Sequence, residues 1–252
     1  RGNDRTRPPI HGGGMTASRL LIAALVAALV AAASASPATA QVVVGHLPAQ
    51  STLQDLNDGQ RIGVFAGWLT TSRDPVGVRA HSAPIVGLRY DLLMGSPAYL
   101  SLRLFGMKSE HDVVNPNAPA TNRAAGTASA NQVGADASVQ LSLTGERTWH
   151  GVQPLVNLGV GFIAGVANHF DLGKYAPGAS IMYTYGLGAR MPTGKNADFR
   201  VDLGWFIYQV RYPTAFRVTT ATDNIAVRAS GTMTPLTANR AITASWTWGV
   251  FR

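Results

Sequence analysis

The sequence contains no cysteine among its 252 residues, which excludes a disulfide framework, a thiolate nucleophile and a cysteine-bound metal. Charged residues make up 13% of the chain, against roughly 25% in soluble domains. The net charge of +8 comes without a cluster of lysine or arginine, so binding to nucleic acid is not expected. No histidine spacing indicates a metal site, and the glycine-rich segments match no phosphate-binding loop. We therefore expect no cofactor and no metal.

Long apolar runs are also scarce, and the most prominent one lies near the N-terminus. Leu20–Ala33 is apolar but shorter than the ~20 residues that a transmembrane helix needs. It follows Met15 and the basic Arg19, and small residues ending at Ala40 come after it. A basic start, an apolar centre and a small-residue cleavage site are typical of a secretory signal peptide. We therefore predict a helical signal peptide that is cleaved near Ala40-Gln41.

The alternation of side chains between Asp198 and Val210 is the basis of the fold prediction. One face of this segment is apolar and bulky, with Phe199, Val201, Leu203, Trp205 and Ile207. The other face carries Arg200, Asp202, Gly204, Phe206 and Tyr208. A period of two over this length predicts a β-strand rather than a helix.

Seven more segments repeat this alternation. The eight predicted strands are 61–71, 83–92, 98–107, 132–143, 152–163, 180–190, 198–210 and 241–251. Too few helical segments accompany them to cover so much apolar sheet, so a closed barrel that is apolar outside and polar inside is the economical arrangement. We predict an all-β fold, namely an antiparallel up-and-down transmembrane β-barrel of eight strands, with ten as the alternative count.

Two regularities support a closed barrel. Glycines in the strands fall on the predicted inner face, with Gly106 as the exception, and a narrow barrel needs small residues inside. Short links, such as the one containing Pro192 and Gly194, alternate with longer ones. The predicted long links are 72–82, 108–131, 164–179 and 211–240. Short turns at one end and long loops at the other are typical of outer-membrane barrels.

Together with the aromatic-rich end Trp246–Phe251, these features resemble the small outer-membrane β-barrels of the OmpA/OmpX type. The resemblance covers about residues 61–252 and concerns architecture. It implies an outer-membrane location with both termini in the periplasm, without the peptidoglycan-binding domain that some of these proteins carry. The predicted segments are an unstructured upstream extension (1–14), the signal peptide (15–40), a periplasmic lead-in (41–60) and the barrel (61–252).

Charged residues in the strands point into the predicted barrel. They are Arg89, Asp91, Arg103, Asp136, Arg190, Arg200 and Asp202. A charge in a narrow lumen must be paired or hydrated. The favoured interpretation is a network of ion pairs that fills the barrel. The alternative is an ion path or small pore, for which eight strands leave little room.

Outward-facing aromatic residues gather near the strand ends. Trp68, Phe162 and Tyr183 lie toward the long loops, and Tyr90, Phe199, Trp246 and Trp248 lie toward the short turns. Aromatic belts at the two membrane interfaces explain this distribution. A sugar- or ligand-stacking site is the alternative, although the residues are dispersed around the barrel rather than clustered.

Polar residues of the loops suggest a rim site. His81-Ser82, the segment from Ser109 to Asp112, and His169 with Asp171 could meet there as a serine, histidine and acid set. Catalysis needs the base within hydrogen-bond reach of the nucleophile, and no motif here fixes that geometry. We expect no enzyme activity, with a lipid A acyltransferase or deacylase as the alternative.

The predicted function is structural or surface-interacting, with a polar, filled lumen and long extracellular loops. A small-solute or ion channel is the alternative. Arg211, Arg217 and Arg228 in the last loop suit lipid phosphates. The expected partners are outer-membrane lipid, lipopolysaccharide and the barrel-assembly machinery.

Overall fold

A computed structural model describes residues 51–56, 59–72, 74, 76–166, 172–173, 175, 177–194, 196–221 and 223–251. The predicted upstream extension, the signal peptide and residues 41–50 of the lead-in lie outside the described residues. Within the described part of the chain, no helix is long and apolar enough to cross a membrane.

Eight antiparallel strands form a closed barrel, each paired with its neighbours and the last paired with the first. They are β2 (Gln60–Thr70), β3 (Ala83–Gly95), β4 (Ala98–Met107), β7 (Gln132–Ser142), β9 (Gln153–Gly165), β10 (Ser180–Pro192), β11 (Ala197–Gln209) and β12 (Leu236–Phe251). Short connections lie at one end, the turn end, and long ones at the other, the loop end. The predicted all-β, eight-stranded up-and-down barrel is confirmed.

The register of the strands sets the size of the barrel. The path of paired residues from Gln60 runs through Leu92, Leu100, Val139, Leu158, Tyr185, Trp205 and Arg240 to Thr70. It therefore returns to β2 ten residues further along. With a rise of about 3.3 Å per residue and about 4.8 Å between strands, this stagger gives a tilt of about 40° and a radius of about 8 Å. Such a radius holds side chains and leaves no wide channel.

The same geometry assigns each residue a height along the barrel axis. One step across the sheet along this path climbs about 3 Å toward the loop end, and one residue along a strand changes height by about 2.5 Å. The full path from Gln60 to Thr70 therefore climbs about 25 Å, which is the height of the apolar band of outer-membrane barrels.

Inner and outer faces alternate as predicted. On β11, Arg200, Asp202 and Phe206 are buried inside, whereas Leu203 is exposed on the outside. Exposed leucine, valine, isoleucine and aromatic residues cover the outer face of all eight strands. The outward apolar and inward polar arrangement therefore has the polarity of a barrel in lipid.

Four short strands add two small sheets that the sequence pattern did not predict. At the turn end, β1 (Leu53–Asp55) pairs with β8 (Arg147–Trp149), so part of the predicted lead-in has a defined structure. At the loop end, β5 (Glu110–Val114) pairs with β6 (Ala124–Ser129) inside a predicted long loop. Three-residue strands are too short to show a period, and the small residues of β6 give little contrast between its faces.

Candidate functional site

The middle of the lumen contains an ion-pair network that joins opposite walls of the barrel. Arg89 on β3 donates hydrogen bonds to Asp91 on the same strand and, at 2.9 Å from Nη1, to Asp202 on β11. Arg200 donates from Nε to both carboxylate oxygens of Asp202 at 2.8 Å. Its Nη1 donates to Gln140 Oε1 at 2.6 Å. Asp202 therefore receives two guanidinium groups in a site with almost no solvent access.

A second pair lies higher in the lumen, between neighbouring strands. Arg103 on β4 and Asp136 on β7 are direct partners in the register. Arg103 Nε donates to the two carboxylate oxygens of Asp136 at 3.0 and 3.1 Å. The guanidinium also lies over the ring of Phe206, 5.5 Å from its centroid. Such a charge-assisted contact fixes the geometry of both side chains.

The turn end has its own cluster around Asp198. Its Oδ2 accepts a hydrogen bond from Arg190 Nε at 3.0 Å and forms an ion pair with Arg61. The Arg190 guanidinium lies 5.9 Å from the centroid of the Tyr99 ring. The structure thus places all seven predicted lumen charges inside the barrel and adds Arg61 and Asp198. Both additions are the first residues of predicted strands, 61–71 and 198–210, and the alternation puts them on the inner face.

Above the charges, the lumen changes to an apolar layer. Phe105 and Phe206 stack with ring centroids 5.6 Å apart. They lie at about 19–21 Å above Gln60 in the geometry derived above. Buried around them are Leu69, Ile85, Met107, Ile163, Met182 and Ala241. The predicted polar lumen therefore describes the lower part of the barrel, and the upper part is apolar because large inward residues concentrate there.

A polar cluster joins two loops above this layer. Tyr212 donates its hydroxyl proton to Asp74 Oδ1 at 2.6 Å, which ties the last long loop to the first. Asp74 also accepts the backbone amide of the buried Arg79. Arg79 Nη2 donates to Asn239 Oδ1 on β12 at 3.0 Å. Burial and the contact with Asp74 raise the pKa of Tyr212 above its usual value.

At the rim a histidine lies near an acid, but the serine hydroxyls bond to main chain. His81 Nε2 lies 3.4 Å from Asp112 Oδ1. Ser109 Oγ donates to the backbone carbonyl of His81, and Ser82 Oγ accepts the amide of Thr71. Both hydroxyls thus bond to main chain, whereas a nucleophile needs a base within reach. Two further predicted rim residues, 169 and 171, lie outside the described residues.

Two of the three predicted phosphate-binding arginines are engaged within their own loop. Arg217 donates to the carbonyl of Gly231. Arg228 donates to the carbonyl of Thr232 at 2.9 Å and lies over the Tyr212 ring, 4.6 Å from its centroid. Arg211 is exposed. Arg217 and Arg228 therefore help to hold the loop together.

The outward aromatic residues fall into two bands. Trp68, Phe162 and Tyr183 lie at about 20–23 Å above Gln60, and Tyr90, Phe199, Trp246 and Trp248 lie at about 2–8 Å. Five of these seven side chains are exposed, and Tyr90 and Phe199 are partly covered. Tyr185 and Trp205 lie below the upper band, at about 16 and 19 Å above Gln60, with parallel rings 5.1 Å apart. They sit on the outer face of β10 and β11, as the alternation of these strands predicts.

Strand number, stagger and reversed polarity define the class: this is a small transmembrane β-barrel with the architecture of the OmpA/OmpX type. No model of a known protein family matches the chain, and no curated protein matches it. Among solved structures, the chain is similar to Neisserial surface protein A, with 11% identity, a TM-score of 0.45 and coverage of 77% of this chain and 98% of the other. It is also similar to the N-terminal β-barrel domain of Pseudomonas aeruginosa OprF, with 13% identity, a TM-score of 0.38 and coverage of 77% and 100%. The class rests on the strand order and the polarity of the barrel.

Proposed function

We propose that this protein is an outer-membrane barrel with a structural and surface-interacting role and a lumen filled by its own side chains. The observation that carries this proposal is the reversed polarity over a height of about 25 Å. Exposed apolar side chains cover the outside, and paired arginine and aspartate residues occupy the inside. Closed barrels of this kind span outer membranes because every backbone group is paired without an edge.

The interior supports a filled barrel rather than a channel. The Phe105–Phe206 stack and the apolar side chains around it lie between the charged network and the loop end. An ion crossing this layer would lose its hydration without gaining a partner. The cluster of Asp74, Arg79 and Tyr212 adds a second closure above the layer.

The loops then provide the surface that can meet partners. The β5–β6 hairpin and the joined first and last loops extend beyond the barrel at the loop end. Long loops of such barrels face the outside of the cell. Ser109 donates its hydroxyl proton to the main-chain carbonyl of His81, which argues against the lipid-modifying alternative at that serine.

The proposal is tested by expression of the full chain in a Gram-negative host. We expect heat-modifiable migration on gels, recovery in the outer-membrane fraction and cleavage of the long loops by protease added to intact cells. Recovery as a soluble periplasmic protein would contradict the membrane location.

Closure of the lumen is tested separately in planar bilayers. We expect no stable large unitary conductance from the wild-type barrel. The Phe105→Ala and Phe206→Ala double variant should conduct more, because it removes the stacked rings of the apolar layer. A large conductance that is equal in the wild type and the variant would overturn the filled-lumen model.

A further inference from the structure

Charged side chains are almost absent from the outer face of the described barrel strands. Among the described residues of the eight barrel strands, every charged side chain except Arg240 points inward, and Arg240 is exposed on the outer face of β12. The outward residues that follow it on β12 are Ile242, Ala244, Trp246, Trp248 and Val250. A lone cation on such a surface is costly in lipid unless it reaches an anionic or aqueous partner.

The height of Arg240 places it at one membrane boundary. It is the last step of the register path before Thr70 and lies about 22 Å above Gln60. This is the level of the upper aromatic band, which contains Trp68 and Tyr183. Aromatic bands of this kind mark the headgroup region, so the guanidinium lies where lipid phosphates lie.

Arg240 is flanked by one register partner on each neighbouring strand. Trp205 on β11 is its direct partner in the register, and Thr70 on β2 is its partner on the other side. Trp205 is held by Tyr185, whose ring is parallel to it within 3° at a centroid distance of 5.1 Å. In the part of the chain that the structure describes, no carboxylate forms an ion pair with Arg240.

We propose that Arg240, beside Trp205 and Tyr185, binds the phosphate monoester of an outer-leaflet glycolipid. The guanidinium fork matches two phosphate oxygens. A phosphate monoester carries about −1.5 to −2 charges at neutral pH, whereas a zwitterionic headgroup brings its own cation. The aromatic pair lies below the guanidinium, at about 16–19 Å above Gln60, and provides a rigid surface against which the acyl chains of the bound lipid pack. This inference rests on the proposed outer-membrane location and adds the class of lipid to it.

The test measures lipid binding to the detergent-solubilised full chain by native mass spectrometry. The probes are bisphosphorylated lipid A, the same lipid without phosphates, and phosphatidylglycerol. The variants are Arg240→Gln, Arg240→Lys and, as a matched control, Arg147→Gln. Arg147 is an exposed arginine at the turn end that pairs with Asp55. Heat-modifiable migration confirms that each variant is folded.

We expect Arg240→Gln to weaken binding of bisphosphorylated lipid A on the order of tenfold, because it removes charge-assisted hydrogen bonds. Arg240→Lys should keep part of the affinity, and Arg147→Gln should bind like the wild type. Equal binding by Arg240→Gln and the wild type would overturn the site. Equal binding of the lipid without phosphates, or the same Arg240 dependence for phosphatidylglycerol, would overturn the assignment to a phosphate monoester. A chain that is not heat-modifiable would instead contradict the proposed function.

Discussion

Leu203→Arg tests the polarity on which the whole interpretation depends. Leu203 points outward on β11 between Leu187 and Ile242, its partners on the two neighbouring strands. It lies about 14 Å above Gln60, close to the middle of the apolar band of about 25 Å. An arginine at the bilayer midplane of such a barrel costs about 2–4 kcal/mol. The free energy of unfolding should fall by that amount.

The matched control is Leu236→Arg, the same substitution on the same outer face. Leu236 is exposed at the loop end of β12 and lies about 32 Å above Gln60, beyond the upper aromatic band. Arginine costs only about 0–1 kcal/mol near or beyond the interface. Both values can be measured by urea unfolding of the barrel in lipid vesicles, followed by tryptophan fluorescence. Equal costs at the two sites would refute the outward orientation toward lipid or the assigned heights.

Three further predictions concern the lumen, the glycines and the loops. Asp202→Ala removes the carboxylate shared by two buried guanidinium groups, and the free energy of unfolding should fall by about 3–5 kcal/mol. Asp55→Ala at an exposed pair should lower it by less than about 1 kcal/mol. Equal losses of unfolding free energy in urea would contradict the network. Gly67→Ala should prevent or strongly destabilise folding, because its Cβ would overlap the backbone oxygen of Ile242 on the neighbouring strand. The Cβ of Gly204→Ala would meet its nearest atom at 3.6 Å and should be tolerated, and the yield of heat-modifiable protein measures this difference. The raised pKa of Tyr212 means that its contribution to stability is present below about pH 10 and is lost as the pH rises further. Protease cleavage of the loops should therefore increase in alkali for the wild type, and Tyr212→Phe should flatten this dependence.

The strands could be predicted from the sequence because their inner and outer faces differ in every other residue. The observed β4 has the predicted bounds, and most other strands differ by one to three residues at an end. The main exception is β12, which begins at Leu236 rather than at residue 241. Its extension carries Arg240, so the residue behind the lipid proposal lay just beyond the predicted strand.

The pairing of the lumen charges could not be predicted in the same way. Arg89 and Asp202 are 113 residues apart in the chain and meet across the lumen. Their contact depends on the stagger of ten residues, which is a property of the closed sheet and not of any one strand. The stacking of Phe105 on Phe206 depends on the same stagger.

The sequence alone determined the class of fold and the face on which each strand residue lies, because a strand exposes its side chains with a local period of two. Only the tertiary structure decided the height of each residue, since height follows from strand tilt and register around the whole barrel. Height separates the charged lower lumen from its apolar upper layer, and it places Arg240, the register partner of Trp205, at the level of the upper aromatic band.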